Sequence, residues 1–536
     1  MLHIAHRMRL VQLGLSFLQH RASVVMGVPV SVKRPSPSYD FSFASFSTTG
    51  TLQSSISEAG SSYKRPFTAY TIDPQSLSDT MLDSSLSEFQ ESPALPSCGA
   101  RGHDDFEIKV VISGSNVIVR ANSEQFKSHK RVKAPLCQPN PAVDKRTFVI
   151  IGGGGSAMKA AESLREEGFQ GRVVLITKED HIPYDRPMLS KKLAIAAGDM
   201  KLRSSEYLAE HGIEFWSGKE AVGLDIVKKT VLLKGGITLD YDSVLIATGG
   251  KPRSLNVPGS DLENVLLLRS PEDANKIAQV GPGKKAVVIG SSFIGMEIAA
   301  FLAGKATSVT VVGRSEIPFA NVLGKDIGGL LKKMHEEKGV KFISGQTAKE
   351  FKGQGGKLKA VVLTDGTELE ADICLQGVGV KASTEFLSNT GVPLNSQGHV
   401  IVNKYMQACD GVYAAGDIAN FPLKMLDGES VTIGHWQMSH KHGLTAARNM
   451  LGKNEEINTV PFFWTMQHGK SVRYCGHAHH FDDVIIDGSL EEKKFVAYFV
   501  KGEKVLAVAT MGRDPVAAKA ANLLYEGKMA TTSEIR

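Results

Sequence analysis

A chain of 536 residues exceeds what one hydrophobic core organises, so several domains are expected. Its 42% apolar and 22% charged residues are ordinary for a folded protein, and a net charge of +6, spread without a Lys/Arg block or an aromatic stripe, argues against nucleic acid as a partner. No apolar run is long enough for a transmembrane segment, and five cysteines without a C-x-x-C spacing argue against a secreted disulfide framework and a redox dithiol.

Residues 1–37 contain no Asp or Glu, whereas His3, His6, Arg7, Arg9, His20 and Arg21 punctuate an apolar stretch. That composition suits a transit peptide, which points to a mitochondrial address, with the cytoplasm as the other option. Residues 36–102 are Ser-rich and without periodicity, so 1–102 as a whole is expected to be a disordered leader. Phe106, Ile108, Val110 and Ile112 then alternate with polar residues apart from Val111, the Ser113-Gly114-Ser115-Asn116 turn follows, and Val117-Ile118-Val119 resumes. This predicts a β-hairpin, and Pro135, Pro139 and Pro141 mark a linker, so 103–145 forms a separate segment.

From Arg146 the chain reads strand (147–151), Gly-rich turn, helix (about 157–167) and strand (172–177). A second strand–turn–helix–strand unit runs from Lys284 to about Gly313, after a strand-rich crossover that ends in 244–247. Asp365-Gly366 between two apolar runs predicts a type I′ hairpin turn. Alternating β and α elements imply an α/β fold with parallel sheets covered by helices on both faces.

The first turn, Gly152-Gly153-Gly154-Gly155-Ser156-Ala157, fits G-x-G-x-x-A. Gly152 makes the tight turn, Gly154 lets the backbone approach a pyrophosphate, and Ala157 allows close helix–strand packing. The helix N-terminus then faces that pyrophosphate with free N–H groups. An acid for the ribose belongs just past the second strand, where Glu179 is the choice. The second turn, Gly290-Ser291-Ser292-Phe293-Ile294-Gly295, carries Ser292 at the middle glycine. Two such turns, each on its own βαβ unit, predict two Rossmann-type domains. Three further segments stand out: Ile246-Ala247-Thr248-Gly249 before a Gly/Pro-rich link, Tyr413-Ala414-Ala415-Gly416-Asp417 after a short strand, and Pro183-Tyr184-Asp185-Arg186-Pro187-Met188-Leu189-Ser190-Lys191.

In this order the segments resemble the ferredoxin-reductase and apoptosis-inducing-factor branch of pyridine nucleotide flavoproteins. Arg269-Ser270-Pro271-Glu272-Asp273-Ala274-Asn275, His435-Trp436-Gln437-Met438-Ser439-His440 and Phe481-Asp482-Asp483-Val484-Ile485-Ile486 narrow the likeness to the factor-3-like group, over roughly residues 103–536. The resemblance implies a glutathione-reductase-like fold: an FAD domain over 146–265 and 393–455, a nicotinamide domain over 266–392, and a C-terminal α/β domain over 456–536. It implies FAD as cofactor, NADH or NADPH as electron donor, and a one-electron carrier or iron–sulfur protein as acceptor. Gly152, Gly154, Ala157, Glu179, Arg186, Lys191, Thr248, Gly249, Gly416, Asp417, Trp436 and Trp464 are its flavin-side candidates. Gly290, Ser292, Gly295, Arg314 and Gly379 are those for the nicotinamide nucleotide. Lys191 and Glu297 are expected to pair beside the flavin as the catalytic charges, with Glu297 on the first turn of the second unit's helix.

Family members usually carry a Rieske domain, whose cluster takes C-x-H and C-x-x-H pairs. That set is missing here, so no iron–sulfur cluster is expected in this chain and 103–145 reads as a remnant of such a domain. No metal site is expected either, and His477-Ala478-His479-His480 reads as a solvated loop. After strand 308–312 the family usually has Glu, which would hold the adenosine ribose of NADH. Here Gly313 and Arg314 follow, which leans towards NADPH. Glu316 is the residue that could restore NADH. Two alternatives accompany this reading: an FAD-binding, redox-sensing pro-apoptotic signalling protein, and a monodehydroascorbate reductase.

Overall fold

The computed structural model describes residues 67–70, 109–113, 116–122 and 136–536. The acid-free leader therefore lies outside the described residues. Contacts divide the chain into two units, 1–134 and 135–536. In the first, Lys109–Ser113 and Asn116–Asn122 form an antiparallel hairpin with Ser113 opposite Asn116. A third strand, Phe67–Tyr70, pairs with Asn116–Asn122 and falls inside the stretch expected to lack regular structure.

The second unit holds three large sheets. The first has six strands, in the order Gln407–Cys409, Val412–Ala414, Ser243–Ile246, Thr147–Ile151, Arg172–Ile176 and Ile213–Trp216. All neighbours are parallel except the first pair. Strands buried on both faces must be apolar throughout, and Val149, Ile150, Val173 and Val174 are fully buried. The helix Gly155–Glu166 packs against the helix Trp436–Met450, so a segment nearly 300 positions away completes this layer. Gly443 makes that approach possible, since a Cβ there would meet the Ser156 backbone.

Between the first sheet's Ser243–Ile246 and Val412–Ala414 strands the chain builds a second sheet, all parallel, in the order Val265–Leu266, Ile373–Gln376, Lys285–Ile289, Ser308–Gly313 and Val340–Ser344. The helices Phe293–Leu302 and Ala320–Glu336 belong to this unit. The third sheet is a five-stranded antiparallel one, running Phe462–Gln467, Lys470–Gly476, Lys504–Met511, Lys494–Lys501, Asp483–Ser489. One apolar core joins the second and third sheets through Met296, Phe463, Tyr474 and Phe499.

The Asp365-Gly366 hairpin forms between Lys357–Leu363 and Glu368–Glu370, but its turn is not type I′. Type I′ needs positive φ at both central residues, and of the two only Gly366 has it, at 89°. The Gly366 N–H donates to the Leu363 carbonyl, and the Asp365 carboxylate accepts from the Thr367 N–H. The Asp side chain thus stabilises an ordinary turn closed by one left-handed glycine.

Candidate functional site

The first cavity, about 770 Å³, opens where the strands Thr147–Ile151, Arg172–Ile176, Ser243–Ile246 and Val412–Ala414 end. Gly152 has φ +134°, and a Cβ there would press on the Ala247 carbonyl. Gly154 is different: its backbone is extended and a Cβ would meet nothing within 4 Å. The helix that follows has no side-chain cap and no acid in its first turn, so its N–H groups face open space. A bare, uncapped helix end behind a glycine floor fits the pyrophosphate of a dinucleotide. Ala157 is fully buried and is not among the residues that line the cavity.

Glu179 stands on the wall, where its carboxylate accepts from Tyr184 Oη at 2.8 Å and from Arg186 at 2.9 Å. Burial pushes the Tyr184 phenol up, which keeps it a neutral donor. Arg186 also donates to Tyr184 Oη and to the Arg269 carbonyl. Thr248 and Gly249 line the same wall, and the Thr248 hydroxyl donates to the Ser383 carbonyl. At the opposite rim Gly416 and Asp417 begin a short 3-10 turn. The Gly416 N–H donates to Nδ1 of His442, whose pKa burial pushes down to about 3. Trp436 closes the floor, and a Cβ on Gly155 would come within 2.9 Å of its ring.

Lys191 and Glu297 meet. The ammonium lies 3.0 Å from one carboxylate oxygen, and the carboxylate is almost completely buried. Glu297 is the fifth residue of the helix Phe293–Leu302, so it starts the second turn, not the first as expected. Gly295 occupies the first turn, where its lack of a side chain lets the helix sit against Gly290 and Gly377. Two hydroxyls complete the carboxylate's shell: Ser190 donates to Oε2 at 2.5 Å and Thr465 to Oε1 at 2.7 Å. Trp464, on the Phe462–Gln467 strand, puts its ring 5.8 Å from the Lys191 ammonium.

Arg269 is a wall residue to which the sequence reading gave no individual role. A Cβ on Gly249 would lie 3.0 Å from its guanidinium, burial lowers its pKa, and among the described residues no carboxylate forms an ion pair with it. A desolvated cation beside the glycine floor fits an anionic ligand. Its only sequence signal was its place at the head of the Arg269–Asn275 segment.

The second cavity, about 600 Å³, lies at the ends of Lys285–Ile289 and Ser308–Gly313. Gly290 has φ +111°, and Ser292 precedes the helix without capping it through its side chain. Arg314 and Gly379 line this cavity, together with Arg253, Ser291 and Ser315. No Asp or Glu is among the lining residues, and Glu316 is not part of the wall.

Cys475-Gly476-His477 does have the C-x-H spacing, a detail the reading of the sequence passed over. Its thiol is fully buried in the strand Lys470–Gly476, and no C-x-x-H accompanies it. In the following loop His479 and His480 are exposed, whereas His477 is half-buried and its pKa is lowered by that burial. Among the described residues no three His, Cys, Asp or Glu side chains gather as metal ligands would, and no helix is long and apolar enough to cross a membrane.

The family model described as Pyridine nucleotide-disulphide oxidoreductase matches residues 146–443, and that described as Reductase C-terminal matches 462–536. The chain is 43% identical over 433 residues to apoptosis-inducing factor 3 of Homo sapiens, covering 80% of this chain and 72% of that one. Among solved structures, a ferredoxin reductase from Rhodopseudomonas palustris superposes with a TM-score of 0.70 at 30% identity, over 73% of this chain and 97% of that one. The covalent complex of putidaredoxin reductase with putidaredoxin gives 0.68 at 28% identity, over 71% and 93%.

Proposed function

The chain belongs to the pyridine nucleotide-disulphide oxidoreductase family and is an FAD-dependent NAD(P)H oxidoreductase, and on that premise we propose that it draws electrons from NADPH and passes them to a ferredoxin-type iron–sulfur carrier. The observation that carries the NADPH reading is the second cavity, whose wall holds Arg253 and Arg314 and no carboxylate. An acid there would accept hydrogen bonds from a ribose 2′-hydroxyl and repel a 2′-phosphate; a guanidinium does the reverse.

Bound FAD supplies a group that takes two electrons together and releases them singly. The residues around it have separate tasks. The Gly152–Gly154 floor, the helix N-terminus behind it and Arg269 would hold the pyrophosphate. Glu179 would accept from a ribose hydroxyl, and Asp417 from hydroxyls further along the cofactor. Lys191, fixed by Glu297, offers a positive charge to electron density arriving in the cavity. Phe463 and Trp464 exclude water. The carrier is supported by the similar reductase joined covalently to putidaredoxin. A mitochondrial address is supported by the acid-free leader.

The test is catalytic efficiency for NADPH and NADH with ferricyanide as acceptor. NADPH should be preferred, and Arg314→Ala should erase most of the difference. A clear NADH preference unaffected by Arg314→Ala refutes the donor assignment.

A further inference from the structure

We propose that Ser291 and Gly313 form a size-coupled pair that sets nucleotide specificity: Ser291 fills the volume an acid at residue 313 would need, and its hydroxyl joins Arg314 and Ser315 in a cradle for a 2′-phosphate. This deepens the NADPH reading and rests on it.

Gly313 ends the strand Ser308–Gly313, opposite Ser344. Its φ lies outside the left-handed region, so the backbone does not demand glycine. Space does: a Cβ on Gly313 would lie 2.9 Å from Ser291 Cβ and closer still to its hydroxyl. Ser291 cannot simply withdraw. The preceding Gly290 N–H is bonded to the Val312 carbonyl at 2.8 Å, and Gly290 sits so tightly on Gly377 that a Cβ would strike the Gly377 carbonyl. On the other side the Gly313 carbonyl accepts from the Gln346 N–H at 3.2 Å. Both backbones are therefore pinned, and the gap between them admits one side chain, on 291 or on 313.

The side chain present carries a hydroxyl that makes no hydrogen bond with the described residues, on the wall of the cavity. Arg314 is exposed on the same wall without an ion-pair partner among the described residues, and Ser315 lines it too. A guanidinium flanked by two hydroxyls and no carboxylate is the donor set a phosphate monoester dianion takes. Glu316 offers no compensation: its carbonyl accepts from Ser344 Oγ, and it is absent from the wall.

The experiment measures binding of NADP⁺ and NAD⁺ by calorimetry, with the melting temperature, for the FAD-loaded wild type and for Ser291→Gly, Gly313→Glu, Arg314→Ala and the Ser291→Gly/Gly313→Glu double variant. Wild type should favour NADP⁺ by about tenfold or more. Gly313→Glu alone should melt lower and bind both nucleotides poorly. The double variant should recover the melting temperature and favour NAD⁺, because glycine at 291 frees the space for Glu. Wild type favouring NAD⁺ overturns the NADPH reading and the cradle with it. Gly313→Glu that melts like wild type and switches to NAD⁺ unaided overturns the size coupling alone and leaves the donor assignment standing.

Discussion

Replacing Gly154 with valine separates folding from FAD binding. The residue has φ −100° and ψ −173°, an extended conformation that any residue adopts, and a Cβ there meets nothing within 4 Å. The variant protein should therefore fold as the wild-type apoprotein does. The space it fills is the floor proposed for the pyrophosphate, so on that proposal the cost falls on the bound state. Overpacking by a branched side chain costs about 1–3 kcal/mol where neighbours can yield, equivalent to roughly 5- to 150-fold in affinity. Here the side chain projects into the space proposed for the pyrophosphate, so the upper end or beyond is expected. Linkage fixes the second readout. FAD at 100 times its Kd stabilises the folded state by about 2.7 kcal/mol, and Gly154→Val should lose that increment and nothing more. Flavin content from the visible spectrum and melting with and without added FAD measure both quantities. Stoichiometric FAD in the purified variant, or melting well below the wild-type apoprotein, would refute the assignment. Gly152→Ala is the contrast: its positive φ and blocked Cβ should lower apoprotein stability as well, by about 1–3 kcal/mol.

Lys191→Ala should strand a buried carboxylate and destabilise the fold by about 3–5 kcal/mol, most of which adding Glu297→Gln should restore; an unchanged urea midpoint in the single variant would show that the pair does not matter structurally. Arg269→Met should weaken FAD binding by about 10- to 100-fold, and an unaltered Kd for FAD added to deflavo-protein would remove Arg269 from the cradle. His335 and His442 are buried and His435 is half-buried, and this desolvation pushes their pKa values down to about 4, 3 and 4 respectively. Each is neutral in the fold and takes up a proton on unfolding below about pH 6.5, so stability rises with pH; the contribution is complete above that pH and is lost as pH falls towards 4 and 3. His442→Asn keeps an acceptor for the Gly416 N–H and should reduce the acid-side slope of unfolding free energy by about 1.4 kcal/mol per pH unit. An unchanged slope would mean that His442 is charged in the folded protein.

The parts of the fold legible in the sequence are those in which one local requirement dominates. Strands such as Arg172–Ile176, covered on both faces, must be apolar beyond their first residue, so they read as continuous runs. Gly152 and Gly290 announce themselves because no other residue tolerates both a positive φ and a carbonyl at van der Waals contact. Legibility fails where a contact depends on how distant segments return. Nothing near Gly249 signals that Arg269 folds back over it, and nothing in Thr465 signals that its hydroxyl reaches Glu297, 168 residues earlier. Gly313 shows the same limit from another side. The missing acid after strand 308–312 was visible, but the Ser291 side chain that crowds position 313 across the strand ends is a tertiary contact. Asp365-Gly366 illustrates a subtler failure: the dipeptide suits two kinds of hairpin turn, and the Asp carboxylate, by accepting from Thr367, selects the one that leaves Asp365 at negative φ.

The charge pair explains why three sheets must meet at one place. Lys191 comes from the segment following the first nucleotide turn, Glu297 from the helix behind the second, and Thr465 from the third sheet. An ion pair buried to this degree offsets its desolvation only if the attraction is joined by hydrogen bonds to the carboxylate's remaining lone pairs. Lys191 supplies the charge, and Ser190 and Thr465 supply one hydroxyl to each oxygen. Thr465 is in turn held by the Gln467 amide, and Gln467 by a neutral His335. The third sheet therefore completes the electrostatics of the cavity from behind while presenting Phe463 and Trp464 to its front. Neither nucleotide-binding unit alone supplies all of these partners to Glu297, so the ammonium that faces the cavity is positioned by the assembled body.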